Sequence, residues 1–242
     1  MNFDFNIKSE NDYIKFVDYL KSLAKEESIE DRERHKRIIN SKKEILALSM
    51  ADVRKVAKNI AKFDINNFLK FAKDDSYEEI LIQGLIVTYI KDIGLQIKLL
   101  DELKCKFDCW AHIDSVVSSM KIFAKSDKKD EYFDYFYNLC FSEKEFISRF
   151  GIVTLMTYYL EEKYIDKIYN MCKSVTNRAY YVQMGIAWLI SYGFLKFKEK
   201  TYKLLDEKVL DKFTQNKSIC KCRDSFRVSK EDKEKLINYR IK

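Results

Sequence analysis

The sequence predicts an all-α fold, and its composition is the first observation behind that prediction. Its 242 residues include no proline and only five glycines. β-Sandwiches and barrels use both residue types in their turns, and nucleotide-binding α/β folds need glycine-rich loops. Hydrophobic residues make up 47% of the chain and aromatic residues 14%, enough for the core of one large domain or two small ones. Because apolar residues also recur at helical spacing, we expect packed helices.

The first three elements are predicted as helices of different character. Residues 11–25 space their apolar side chains at mixed intervals of three and four, which is typical of an amphipathic helix. A charged helix is expected over residues 26–39. Ser49 or Asp52 is a candidate N-cap for the third helix, whose apolar stripe leaves a basic face on another side. That basic face comprises Arg54, Lys55, Lys58 and Lys62.

From residue 77 onward the chain repeats a pattern of paired helices. Four mainly apolar segments cover residues 77–90, 110–120, 147–157 and 182–191. Aligning the four segments places Gly84, Asp114, Gly151 and Gly185 at the same position. Successive members of this set are 30, 37 and 34 residues apart in the sequence. A small residue there lets a helix approach its neighbour closely, and Asp114 is the exception. Shorter amphipathic helices are predicted between these segments, over residues 94–105, 129–140, 162–172 and 198–210.

Helix pairs at this interval, without glycine- or proline-rich linkers, are typical of an α-solenoid of HEAT or armadillo type. We therefore predict a curved solenoid of stacked HEAT-like helix pairs, with the second helix of each pair lining a basic concave groove. The chain is expected to form one domain over residues 1–242. Its repeat body would cover about residues 10–228, and residues 229–242 would form a basic C-terminal tail.

The positive charge of the chain is concentrated in two segments. The formal net charge is +7, yet residues 32–62 alone contain ten basic residues against three acidic ones, and residues 196–242 contain fifteen against eight. Two basic segments around a nearly neutral body favour a surface that binds a polyanion. The alternative is a lysine-rich composition whose charges simply solvate helix faces.

Six cysteines occur in a chain whose first ten residues are polar and acidic, so a signal peptide is not expected. We expect reduced thiols and a cytoplasmic, nucleoid-associated protein that does not enter a membrane. Cys105, Cys109 and His112 share one helical face and could be three zinc ligands. A fourth ligand is not evident, and Cys220 and Cys222 are too closely spaced to complete the site. We therefore predict neither a metal nor another cofactor.

Polar and aromatic residues on three successive inner helices form the candidate site. Trp110 and Asp114 are four residues apart and so lie on one helical face, Arg149 is on the next inner helix, and Trp188 on the one after. Tyr181 precedes Trp188 on the same element. Each residue also has a structural interpretation: both tryptophans could fill the core, and Arg149 could form an ion pair with Asp114.

These residues stand in motifs that resemble the AlkD family of DNA alkylation repair glycosylases, which are built from HEAT-like repeats. The segment Trp110-Ala-His-Ile-Asp114 matches the Trp-x-x-x-Asp pair of that family, and Tyr180-Tyr-Val-Gln-Met-Gly-Ile-Ala-Trp188 matches its aromatic run. Arg149-Phe-Gly-Ile-Val153 matches the arginine helix start more loosely. The resemblance covers about residues 10–228. Residues 47–51 depart from it, because relatives commonly have glycine and proline in this turn.

The resemblance implies a monomeric, monofunctional DNA glycosylase that excises cationic N3- or N7-alkylated purines from double-stranded DNA. It further implies that the base is not flipped into a pocket. Asp114 would stabilise the oxocarbenium-like sugar, with Trp110 and Trp188 packed against the sugar-phosphate of the lesioned nucleotide. Arg149 would hold a phosphate. DNA contacts are also expected from Tyr181, Arg54, Lys55, Lys58, Lys221 and Arg223. The competing hypothesis is a non-catalytic solenoid adaptor that binds nucleic acid or a protein in the same groove.

Overall fold

The computed structural model describes residues 3–24 and 28–242. Within them the chain forms fifteen α-helices, two short 3-10 helices (Asp127–Tyr132 and Ile237–Tyr239) and no β-strand. The α-helices are α1 (Glu10–Leu23), α2 (Ile29–Ile39), α3 (Met50–Ile60), α4 (Ile65–Phe71), α5 (Tyr77–Val87), α6 (Ile93–Leu103), α7 (Trp110–Ser119), α8 (Lys121–Ala124), α9 (Phe133–Leu139), α10 (Glu145–Tyr158), α11 (Ile165–Ser174), α12 (Tyr180–Lys196), α13 (Lys198–Asp206), α14 (Lys212–Asp224) and α15 (Lys230–Leu236). The prediction of an all-α fold is confirmed.

Side chains from the sequence determine where several of these helices begin. Ser49 is the N-cap of α3: its hydroxyl accepts a hydrogen bond from the backbone N–H of Asp52 and donates one to the Asp52 carboxylate. The predicted amphipathic helix is α1, and the predicted charged helix is α2. Three residues of those predictions, Lys25, Glu26 and Glu27, lie outside the described residues.

The described residues up to Lys128 form one compact unit. In this unit α5 packs against both α3 and α7, with α4 and α6 beside it. A Cβ built on Gly84 of α5 would lie 2.5 Å from a methyl group of Val116 on α7. The absence of a side chain at Gly84 therefore permits the close approach of α5 to α7 that the repeat pattern predicted.

Residues 129–242 form the second compact unit. Here α12 packs against α10 on one side and α14 on the other, while α9 packs on α10 and α13 on α12. The predicted inner segments therefore correspond to α5, α7, α10 and α12, and the predicted intervening helices to α6, α9, α11 and α13. Residues 229–242, predicted as a basic tail, contain α15 and the second 3-10 helix, and Leu236 is buried.

None of the helices in the described part of the chain combines the length and the apolar character needed to span a bilayer.

Candidate functional site

Trp110 and Asp114 lie one turn apart on α7, as the sequence predicted. Trp110 is the first residue of the helix, and Asp114 follows at the i+4 position. Both side chains are partly exposed, whereas Ile113, Val116 and Val117 of the same helix are buried. The apolar face of α7 thus packs into its unit, and the Trp110–Asp114 pair remains accessible.

The ring of Trp110 is held by a hydrogen bond to another helix. Its indole nitrogen donates to the carbonyl oxygen of Ile38, 2.9 Å away. Ile38 lies in the last turn of α2, where backbone carbonyls have no partner within the helix. Trp110 therefore satisfies a helix-terminal carbonyl, and this bond fixes the orientation of the indole.

Asp108, two residues before α7, binds the segment that follows α2. Its carboxylate accepts a hydrogen bond from the backbone N–H of Lys42 at 2.8 Å and from the hydroxyl of Ser41 at 3.0 Å. One carboxylate oxygen also lies 3.3 Å from Nδ1 of His112. Together with the Trp110–Ile38 bond, these contacts join the start of α7 to residues 38–42.

His112 is fully buried, and its surroundings favour the protonated ring. Nε2 lies 2.9 Å from the carbonyl oxygen of Tyr77, which can only accept a hydrogen bond, and the ring stacks on that of Tyr77. Burial by itself lowers the pKa of His112, but the hydrogen bonds to Asp108 and Cys109 outweigh it and raise the pKa to about 9. Burial raises the pKa of Asp108, yet the bonds from His112, Lys42 and Ser41 bring it below its usual value. The buried His112 ring and the partly exposed Asp108 carboxylate thus form an ion pair.

The zinc site considered from the sequence is not assembled in that form. In the described part of the chain, the metal-type ligand atoms that converge belong to Asp108, Cys109 and His112, within 4.8 Å of one another, and Cys105 is not among them. Cys105 is exposed. Both ring nitrogens of His112 already face hydrogen-bonding partners. The arrangement fits an internal hydrogen-bond cluster better than a metal centre.

The three predicted basic residues of α3 have different surroundings. Arg54 donates a hydrogen bond of 2.9 Å to the hydroxyl of Ser119 on α7 and lines a cavity of about 260 Å³ with Ser118 and Ser119. Lys55 lines a different cavity, of about 840 Å³, against α1. Lys58 is exposed. Of these three, Arg54 is the one that contacts the helix carrying Trp110 and Asp114.

In the second unit, Arg149 on α10 contacts the start of α12. Its side chain is only 5% exposed, and one guanidinium nitrogen donates to the carbonyl oxygen of Tyr181 at 2.9 Å. The guanidinium carbon also lies 5.9 Å from the centre of the Tyr181 ring. The backbone N–H of Tyr181 donates to the carboxylate of Glu145 at 2.7 Å. Arg149 and Tyr181, both predicted site residues, are therefore brought together.

Trp188 lies two turns after Tyr181 on α12 and is partly exposed. Its ring meets that of Tyr192 edge to face, with 6.0 Å between the ring centres. Trp188, Tyr192 and Lys221 line one cavity of about 270 Å³. Arg223, predicted beside Lys221, is only partly exposed, and its buried Nε has no hydrogen-bond partner among the residues that the structure describes.

Several residues around the candidate site were not identified from the sequence. Asp108 precedes His112 by four residues, as Trp110 precedes Asp114, so helical spacing could have indicated that pair. The contacts of Trp110 and Asp108 with residues 38–42 span more than sixty residues, and nothing local in the sequence signals them. Tyr192 and Arg227, which share a cavity with Trp188, were missed for the same reason.

Comparison with known proteins identifies a family. Residues 18–193 match the sequence profile of the family described as DNA alkylation repair enzyme. Neither the curated proteins nor the solved structures contain a significant match. The matched range extends from α1 into α12 and includes Trp110, Asp114, Arg149 and Trp188.

Proposed function

This chain belongs to the DNA alkylation repair enzyme family, and on that premise we propose that it is a monofunctional DNA glycosylase. Its substrates are purines alkylated at N3 or N7 in double-stranded DNA. The alkyl group places a positive charge on the base, which weakens the N-glycosidic bond. Hydrolysis then requires an enzyme that stabilises positive charge developing on the deoxyribose.

The observation that carries this proposal is the accessible Trp110–Asp114 pair. A carboxylate beside the sugar stabilises an oxocarbenium-like transition state and can orient the attacking water molecule. Asp114 is partly exposed and one helical turn from Trp110. The electron-rich face of an indole also favours positive charge. Because the bond to Ile38 orients the Trp110 ring, little ordering is needed when the nucleotide binds.

The second unit has an aromatic surface and basic residues of its own. Trp188 is partly exposed and would pack against the sugar-phosphate of the lesioned nucleotide. Arg149, which is 5% exposed and donates to the carbonyl oxygen of Tyr181, would bind a backbone phosphate. Since the leaving base is already cationic, no acid group is required to protonate it. Covalent catalysis by lysine has no role here.

Asp114→Asn tests the catalytic step. We expect the variant to bind methylated duplex DNA with the affinity of the unsubstituted protein but to release 7-methylguanine at least a hundredfold more slowly, because the amide cannot stabilise the sugar cation. Asp18→Asn, an exposed carboxylate on α1, is the matched control and should excise normally. Retained excision by Asp114→Asn would refute the role of Asp114. Binding without excision by the unsubstituted protein would favour the adaptor hypothesis.

Salt dependence tests the DNA-binding role of α3. We expect the logarithm of the DNA association constant to fall linearly with the logarithm of salt concentration. Lys58→Ala should reduce the slope by about one, since each phosphate contact releases about one counterion. Lys203→Ala, an exposed lysine on α13, should leave the slope unchanged. Equal slopes for Lys58→Ala and the unsubstituted protein would exclude Lys58 from the phosphate contacts.

A further inference from the structure

The turn between α14 and α15 presents an unusual side chain. Phe226 is fully exposed, more so than any other large apolar side chain in the described part of the chain. A single exposed apolar residue is common on protein surfaces and would need no explanation by itself. The surroundings of Phe226 distinguish it from the other exposed apolar residues.

The turn is anchored at both ends. The backbone N–H of Ser225 donates to the carbonyl of Cys222 at 3.2 Å, and that of Arg227 donates to the Ser225 hydroxyl at 3.3 Å. Cys222 before the turn and Val228 after it are both buried. Phe226 therefore projects into solvent from a well-fixed backbone, so little conformational entropy is lost if its ring enters a binding partner.

A series of ring contacts leads from Trp188 towards this turn. Trp188 meets Tyr192 edge to face, and the guanidinium of Arg227 lies over the Tyr192 ring at 5.3 Å from its centre. Trp188, Tyr192, Ser225 and Arg227 all line the cavity of about 270 Å³. The residues adjacent to Phe226 thus belong to the same surface as the tryptophan of the proposed site.

The charge around the turn is mainly positive. Residues 221–230 contain four basic side chains, Lys221, Arg223, Arg227 and Lys230, and one acidic side chain, Asp224. Lys221 and Arg227 line the cavity, together with Asp224. Basic side chains bind phosphates, and an exposed aromatic ring can stack on bases. A ligand with both kinds of group is a nucleic acid. Single-strand binding uses several aromatic rings in succession, whereas one ring projecting from a fixed turn is suited to a wedge in duplex DNA.

We propose that residues 225–228 form a second DNA contact, in which Phe226 enters the groove as a wedge at a base step beside the lesion. Arg227 and Lys221 bind the flanking phosphates. The wedge partly unstacks that step and holds the duplex in a bent form. The position beside the lesion rests on the proposed function of Trp188, whereas the wedge itself depends only on DNA binding.

Fluorescence of 2-aminopurine tests the wedge. The probe is a duplex with a tetrahydrofuran abasic-site analogue and 2-aminopurine at each of the neighbouring positions in turn, because 2-aminopurine brightens when it unstacks. We expect the unsubstituted protein to raise the fluorescence at one position. Phe226→Ser should abolish that rise and weaken binding about five- to tenfold, consistent with the loss of one aromatic contact to the bases. Phe226→Leu should retain part of the rise.

Val209→Ser is the matched control, because Val209 is also exposed and lies in the same unit outside the cavity. We expect it to behave like the unsubstituted protein, and both serine variants to keep the native melting temperature. Unchanged fluorescence and affinity for Phe226→Ser would overturn the wedge. That result would leave the proposed function intact if Asp114→Asn still abolished excision. Conversely, the unsubstituted protein could show the Phe226-dependent rise in fluorescence and yet fail to excise alkylated purines. That result would support the wedge and refute the proposed glycosylase activity.

Discussion

The indole nitrogen of Trp110 donates a hydrogen bond to the carbonyl oxygen of Ile38, at a distance of 2.9 Å. This contact joins the proposed catalytic helix α7 to α2, a charged helix in which every residue is at least partly exposed. A helix without buried side chains gains little from hydrophobic packing, so its position depends on a few polar contacts. The orientation of Trp110 and the position of α2 are therefore coupled.

Trp110→Phe tests this coupling. The phenyl ring retains apolar contact area but cannot donate to Ile38, and a hydrogen bond of this kind stabilises by about 1 kcal/mol. Amide hydrogen exchange over residues 29–40 should consequently accelerate about fivefold. Trp188→Phe, in the other unit, should leave exchange in α2 unchanged. Equal exchange in both variants would show that α2 is held by other contacts.

The ion pair between buried His112 and partly exposed Asp108 predicts a pH dependence of stability. The pKa of His112 is raised to about 9 in the folded protein, against 6.5 for the unperturbed side chain. The stabilisation is therefore complete below about pH 6.5 and is lost as the pH rises through 9. The free energy of unfolding should fall over this range by about 3 kcal/mol. Chemical denaturation at several pH values measures it.

Two variants separate His112 from other groups that titrate in this range. His112→Asn should be less stable at pH 6.5 and should lose most of the decline between pH 6.5 and 9. His35→Asn, which removes the other histidine of the chain, should keep the decline. If His112→Asn does not fold, Asp108→Asn serves instead, and NMR titration should then give a lower pKa for His112. A decline that survives the loss of His112 would contradict the ion pair.

The glycines of α10 and α12 should respond differently to alanine. A Cβ on Gly151 would lie 2.6 Å from the carbonyl oxygen of Phe136 and 2.8 Å from the backbone nitrogen of Cys140, and backbone atoms cannot move aside cheaply. On Gly185 it would lie 3.3 Å from a methyl group of Ile152, which can shift. We expect Gly151→Ala to destabilise by about 2 to 3 kcal/mol. Gly185→Ala should change stability by less than about 1 kcal/mol, because alanine also favours the helix. Similar losses for both would contradict this distinction.

Ala47 occupies a backbone conformation that favours glycine. Its φ is 66°, and the buried Glu78 carboxylate holds the turn by accepting hydrogen bonds from the backbone N–H groups of Leu46 and Leu48. Because a Cβ in the left-handed region costs about 1 kcal/mol, Ala47→Gly should stabilise the protein by about that amount and raise its melting temperature. Ala51→Gly, within α3, should instead lower stability slightly. A lower melting temperature for Ala47→Gly would refute strain at this position.

Local patterns explain why much of the fold was predictable. Helix positions follow from apolar spacing and from caps such as Ser49, which act within a few residues. The shared face of Trp110 and Asp114 follows from the helical repeat alone. The departure of residues 47–51 from the related sequences was also visible, although the strain at Ala47 was not.

The sequence by itself determined an all-α protein of paired helices, with Trp110 and Asp114 on one face and glycines where helices approach closely, because these properties depend on composition and local periodicity. Only the tertiary structure decided that the indole of Trp110 donates a hydrogen bond to Ile38 and that Asp108 forms an ion pair with His112. It also decided that the Asp108 carboxylate binds Ser41 and Lys42. The close neighbours of Gly151 include backbone atoms, whereas those of Gly185 are side-chain atoms, and this too depends on the packing. The physical reason is that these contacts join residues far apart in the sequence. Their partners, burial and charge states exist only once the helices have packed.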